Sequence, residues 1–176
     1  MRVFLLLFTF FSPCLFADPL FYFSVGLEWK YQVEGDDKRV VTNAVTDVKT
    51  VKGRNWYKLE EYGETFWVGN SSLGQVEAID FFEGDPGQLD EPEEVLIFKF
   101  PAKVGEIWYN VDSPTSYDGV KTLTVPAGTF NCHMYTINMG NGDYSKSCIA
   151  KDVGVVFNEA VLEGGLKEIS KLISYK

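Results

Sequence analysis

The chain has 176 residues, with 25 acidic against 16 basic side chains and a net charge of −9. Such a surface repels phosphate backbones and anionic headgroups, and no Lys/Arg cluster counters it, which argues against a nucleic-acid partner. One histidine, and no Gly-x-Ser-x-Gly, phosphate-cradling glycine loop or His-Glu-x-x-His, leave no motif for serine–histidine, nucleotide or zinc chemistry.

In chain order, residues 1–17 come first, with Arg2, an apolar run from Val3 to Phe11, a break at Ser12-Pro13, and Ala17 ahead of Asp18. This is the layout of a cleaved secretory signal, and the run is too short to cross a bilayer. The expected mature chain, 18–176, is one β-rich domain placed in the periplasm or secreted, with no membrane span. Lipid attachment at Cys14 is the alternative, but Phe11-Ser12-Pro13 lacks the aliphatic and small residues of such sites. Without Arg2 the charges stand at 15 against 25, or −10. Of three cysteines only Cys132 and Cys148 then remain. An even count in an exported chain reads as one disulfide, a structural staple.

From Val25 to Glu34, Leu27, Trp29, Tyr31 and Val33 point one way and Glu28, Lys30, Gln32 and Glu34 the other. Period-two alternation of this kind predicts a half-buried strand. Composition predicts further strands at 39–51, 54–61, 65–70 and 75–82, bounded by Gly, Asn and Asp. The run from Glu83 to Glu94 holds two prolines, two glycines and six acids, and reads as a solvated connector. A calcium site is the sharper alternative there, but the spacing does not match the acidic alternation of a calcium loop. Strands follow at 95–100, at 106–112 with Ile107, Tyr109 and Val111 on one face, and at 120–126, 129–138, 144–150 and 153–159. The segment 166–175 suits a short helix or a last strand, and its place in the repeat favours the strand.

That repeat is the organising feature. Gly26-Leu-Glu-Trp29, Gly53-Arg-Asn-Trp-Tyr57, Trp67 and Gly74-Gln-Val76 are followed by Gly105-Glu-Ile-Trp108, Gly128-Thr-Phe-Asn-Cys132, Cys148 and Gly154-Val-Val156. Matched glycines lie 79, 75 and 80 residues apart. Such self-similarity predicts an all-β architecture: two tandem copies of an antiparallel unit, about 22–100 and 101–176, forming one curved sheet, sandwich or half-barrel. A two-residue turn at Tyr62-Gly63 places Tyr57 opposite Val68. A turn centred on Gly140 places Cys132 opposite Cys148, so that the disulfide takes the place of the Tyr57–Val68 pair. Added function is expected where the copies differ, first around Asn138–Lys146.

No catalytic residue and no metal ligand set emerges. His133 alternates with Cys132 and Met134 and is expected on the more polar face, without a ligand-spaced partner. No cofactor is expected, although paired carboxylates converging in space would suit glycoside-type hydrolysis. Nine Tyr, 14 Phe and four Trp suggest either the core of a curved sheet or an apolar cleft. Trp56 and Trp108 share faces with charged and polar residues and are the expected exposed pair. With Trp67 and Tyr109 they are the candidate ligand-binding residues. The expected function is an exported non-enzymatic binding protein for an apolar small molecule or an envelope protein, the alternatives being an envelope assembly component or a carboxylate-based enzyme.

The run Thr124-Val-Pro-Ala-Gly-Thr-Phe-Asn-Cys132, with Cys148-Ile-Ala-Lys-Asp-Val-Gly-Val-Val156, Leu172-Ile-Ser-Tyr175 and the early Gly26-x-x-Trp29-x-Tyr31, resembles exported bacterial proteins of the TapB-like and DUF3108-like kind. The resemblance implies export and brings no catalytic motif. Some relatives resemble lipoprotein carriers, a curved sheet around an apolar cavity, but the helices that plug such a half-barrel have no counterpart here.

Overall fold

A computed structural model describes residues 19–79, 92–111 and 113–176. The expected signal and most of the acidic connector lie outside the described residues. The described chain forms β1 (Glu28–Glu34), β2 (Arg39–Val51), β3 (Arg54–Glu61), β4 (Glu64–Ser71), β5 (Gly74–Ala78) and β6 (Glu94–Lys99). These are followed by β7 (Ile107–Asn110), β8 (Ser113–Val125), β9 (Gly128–Gly140), β10 (Asp143–Ala150), β11 (Gly154–Leu162) and β12 (Leu166–Tyr175). The segment 166–175 is a strand. It pairs with β11 and with β1, whose ladders satisfy its backbone on both sides.

All twelve strands belong to one antiparallel sheet in the order β6-β5-β4-β3-β2-β1-β12-β11-β10-β9-β8-β7, nearly closed into a barrel. Each half is a six-strand meander. The halves join through the first strand of the first and the last strand of the second. Left-handed turn residues explain the tight hairpins: Lys52-Gly53, Tyr62-Gly63 and Asn141-Gly142 all have positive φ at both positions, as primed two-residue turns require. Gly74 is fixed by space as well as by its φ of 141°, because a Cβ there would run into the Phe98 carbonyl oxygen.

The first hairpin keeps the predicted register, with Tyr57 opposite Val68. The second corrects it. The Asn141-Gly142 pair takes the turn, so Cys132 faces Ala150 and Cys148 faces Met134. Cys132 and Cys148 do form the disulfide, but as diagonal neighbours with Cα atoms 5.4 Å apart. The repeat alignment shifts too. Gly53 sits in the turn between Val51 and Arg54, whereas Gly128 is the first strand residue, opposite Val125. Counted from the hairpins, Cys132 and Ala150 therefore hold the places of Lys58 and Trp67, not those of Tyr57 and Val68.

The alternation in β1 behaves as predicted, with Trp29, Tyr31 and Val33 buried. In β7 it is reversed: Ile107 and Tyr109 are 62% and 69% exposed, and Trp108 turns inward. The reason is the gap between the ends of the sheet. No ladder joins β6 to β7, and the Trp108 indole spans the gap, its Nε1–H donating to the carbonyls of Leu96 (3.2 Å) and Ile97 (3.3 Å). Tyr135 Oη donates to the Lys99 carbonyl at 3.0 Å, and Lys99 pairs with Glu106. Side chains thus close the barrel where backbone pairing stops. His133 lies on the strand face away from Cys132 and Met134, as expected, but that face is not polar around it. It packs among aromatic rings, edge-on to Phe100 at 5.0 Å, with its Nδ1 2.8 Å from Tyr117 Oη.

Candidate functional site

The inward stripes of the strands do not fill the barrel completely. A cavity of about 250 Å3 remains, lined by β1–β6, β10–β12 and the segment ahead of β1. One wall is apolar: Phe21, Phe23, Trp29, Phe66, Val68, Ile97, Phe98 and Ile149. Phe21 and Phe23 belong to an extended strap rather than a strand. Its carbonyls bind inward, with Asn70 Nδ2 donating to Phe21 O (3.0 Å) and the Asp152 amide to Leu20 O (3.2 Å). Phe21 meets Phe23 edge-on at 4.9 Å and leans on Trp29 at 5.6 Å. The strap thus adds two aromatic rings to the cavity lining. Trp29 and Tyr31 are pinned by their polar tips, Nε1–H donating to Val153 O (2.6 Å) and Oη–H to Val155 O (2.8 Å). Both rings therefore present fixed surfaces.

Most of the rest of the lining is polar. Asn43 on β2 donates from Nδ2 to Glu61 Oε1 at 3.0 Å. Tyr62, in the β3–β4 turn and partly exposed, reaches β12, where its hydroxyl lies 2.6 Å from Ser170 Oγ. Gln75 and Glu77 on β5, Ser147 on β10 and Asn158 on β11 complete the polar lining. Asn158 Nδ2 donates to Ser145 and Ser147 hydroxyls, each at 2.9 Å. The Asn43 side chain is only 4% exposed, and its Oδ1 has no hydrogen-bond partner. Burial pushes the Glu61 carboxyl above the usual carboxylate range; the Asn43 hydrogen bond opposes this and the charge of Glu77 adds to it. Burial raises Glu77 as well. Neither carboxylate has an ion-pair partner among the described residues.

None of the four aromatic residues singled out from sequence lines this cavity. Trp56 is not exposed but fully buried, on the other face of β3, with Val51, Val76 and Ala78. It packs over Gly69, and the Arg54 guanidinium lies 4.4 Å from its ring. Trp67 joins the same cluster. Polar neighbours in sequence misled here because residues from β2, β4, β5 and β6 gather on this face of β3 and cover the ring. Trp108 bridges the sheet ends and Tyr109 is exposed. The cavity residues that sequence reasoning passed over had a signal. Tyr57, Leu59 and Glu61 share one parity on β3, so a carboxylate continues an inward apolar stripe. Counted from the hairpin turns, Tyr135 holds the place of Glu61 in the second half. The asymmetry thus falls inside the barrel and not only near Asn138–Lys146. Among the described residues no group of three His, Cys, Asp or Glu side chains is placed to hold a metal ion.

No family model matches the chain, and no curated protein does. The likeness to TapB-like and DUF3108-like proteins therefore rests on the sequence motifs alone. Solved structures do match. A crystal structure of a protein described as a putative lipoprotein from Parabacteroides distasonis superimposes with a TM-score of 0.59 at 12% identity, covering 91% of this chain and 100% of that one. Another, described as a putative exported protein with a YmcC-like fold from Bacteroides fragilis, gives 0.54 at 13% identity, covering 89% and 98%. At such identities the likeness carries the fold alone: the chain shares a YmcC-like fold with bacterial proteins described as exported or as lipoproteins.

Proposed function

We propose that this chain is an exported, non-enzymatic binding protein that holds a small, largely apolar ligand inside its barrel, in the periplasm or outside the cell. The observation that carries the reading is the cavity of about 250 Å3 with one aromatic wall and one polar wall. Apolar walls with a few converging polar groups are the usual composition of a ligand pocket. The volume exceeds the roughly 150 Å3 of an engineered apolar cavity that takes up benzene, so a ligand of one ring with a short polar arm is the matching size. Native mass spectrometry of protein purified from its own envelope tests this. A bound mass that is lost on unfolding is the expected result, and the bare polypeptide mass in every preparation overturns it.

A second reading, contact with an envelope protein, has its own observation. Val104, Ile107, Tyr109 and Val111 are all exposed along the end of the sheet, where β7 has a ladder on one side only among the described residues. An apolar edge strand invites pairing with another strand. Light scattering decides it: an assembly with an envelope partner that Tyr109→Lys abolishes supports this reading, and unchanged assembly refutes the role of β7.

A further inference from the structure

We infer that the polar wall of the cavity receives an organic ammonium group, so that the ligand is a small amine with an apolar body, its head held by Glu61, Glu77 and the Asn43 amide oxygen. The inference rests on the binding reading above and names the ligand class.

The Gln75 amide and the serine hydroxyls of the lining can donate as well as accept, but its charged groups, Glu61 and Glu77, and the orphan Asn43 oxygen are acceptors. An ionised carboxylate only accepts hydrogen bonds. Asn43 has its Nδ2 committed to Glu61, which leaves Oδ1, buried and without a partner, as the remaining atom of that amide. Tyr62 and Ser170 satisfy each other. A primary ammonium carries three donors and no acceptor; Glu61 and the Asn43 amide lie side by side, and Glu77 lines the same cavity. A hydroxyl brings a single donor and leaves the charge untouched.

Charge points the same way. A half-buried carboxylate without a counter-ion is costly, and two sharing a cavity are costlier. Glu61 and Glu77 lack a basic partner among the described ion pairs. The polar groups lining the cavity with them are Tyr31 on β1, Asn43 on β2, Tyr62 in the β3–β4 turn, Gln75 on β5, Ser147 on β10, Asn158 on β11 and Ser170 on β12, none of them cationic. The charged pair near Tyr62 is internally balanced, with Arg39 Nη2 2.9 Å from Glu168 Oε1. A cationic ligand supplies the missing charge. The acidic surface, at −9 overall, raises the local concentration of cations around the barrel.

Isothermal titration of the mature protein at pH 7.5 with 2-phenylethylamine, 2-phenylethanol and 3-phenylpropanoate tests the inference, since the three differ chiefly in their polar heads. The amine is expected to bind about tenfold or more tighter than the alcohol, the equivalent of one charge-assisted hydrogen bond, and the acid not to bind. Glu61→Gln and Glu77→Gln should each remove that advantage while leaving the alcohol unaffected; either variant suffices if the other fails to fold by circular dichroism. Lowering the pH to 4.5, where raised carboxyls are protonated and Arg39 stays charged, should weaken the amine alone. Equal binding of amine and alcohol, or preference for the acid, overturns the ammonium assignment and leaves the cavity reading standing. A native ligand seen by mass spectrometry with no binding of the amine overturns it too. No binding of any probe together with a bare native mass overturns both.

Discussion

Glu61 continues the inward stripe of Tyr57 and Leu59, and its burial makes the stability of the barrel depend on pH. A carboxyl whose folded pKa lies above its unfolded value of 4.5 favours the fold in its protonated form. That contribution is complete below pH 4.5 and is lost as pH rises through the raised folded value. Glu61→Gln is therefore expected to raise Tm at pH 7, by a few degrees at about 2–4 °C per kcal/mol for a domain of this size, and to change little at pH 4. Calorimetry at the two values checks the difference, and equal shifts at both would refute it. His133 acts with the opposite sign. Burial beside Phe100 and Tyr117 lowers its pKa from 6.5, so its contribution is complete above pH 6.5 and is lost as pH falls through the window down to the folded value. In His133→Gln, which keeps an acceptor for Tyr117, the stability curve should flatten over that window. Trp56, by contrast, works through packing: with no exposed surface, its replacement by alanine should cost about 3–5 kcal/mol in denaturant titration.

Among the elements, β7 and the β9–β10 hairpin show how local chemistry and tertiary demand divide the work. The indole of Trp108 joins sheet ends that no ladder closes. Trp108→Phe keeps the ring but removes the donor to Leu96 and Ile97, and is expected to cost about 0.5–1.5 kcal/mol; amide exchange in β6 should speed up, and unchanged protection would sink the bridging role. In the hairpin, Asn-Gly is the strongest short turn signal, and it overrode the choice of Gly140. The resulting shift turns the Cys132–Cys148 link from directly opposed to diagonal, and the staple survives because a Cα separation of 5.4 Å still permits a disulfide. Reduction, or Cys132→Ser with Cys148→Ser, is expected to cost about 3 kcal/mol on the chain-entropy estimate for a loop of this length. Chemical denaturation with and without reductant reads that directly.

At the scale of the molecule, two six-strand meanders become one barrel through β1 and β12, which are more than 130 residues apart in sequence. This ladder brings Ser170 and Asn158 to the same interior as Asn43 and Glu61, so the polar wall exists only once the halves meet. The strap of Phe21 and Phe23 then narrows the interior. Both contributions come from opposite ends of the described chain, which is why no window of sequence displays the cavity.

Composition, period-two alternation and turn chemistry determined the all-β class, most strand boundaries, the last strand, the first hairpin register and the cysteine pair. These are local properties, set by the pleat and by which residues tolerate positive φ. Tertiary structure alone decided which face of each aromatic strand is covered. Trp56 went into a core because Val51, Val76 and Ala78 gather on its face, Trp108 into a gap because the sheet ends do not pair, and Glu61 into a cavity because closure brought β10–β12 round to line it as well. Burial on a closed sheet depends on what arrives from distant strands, and that is fixed by curvature and long-range pairing rather than by neighbours along the chain.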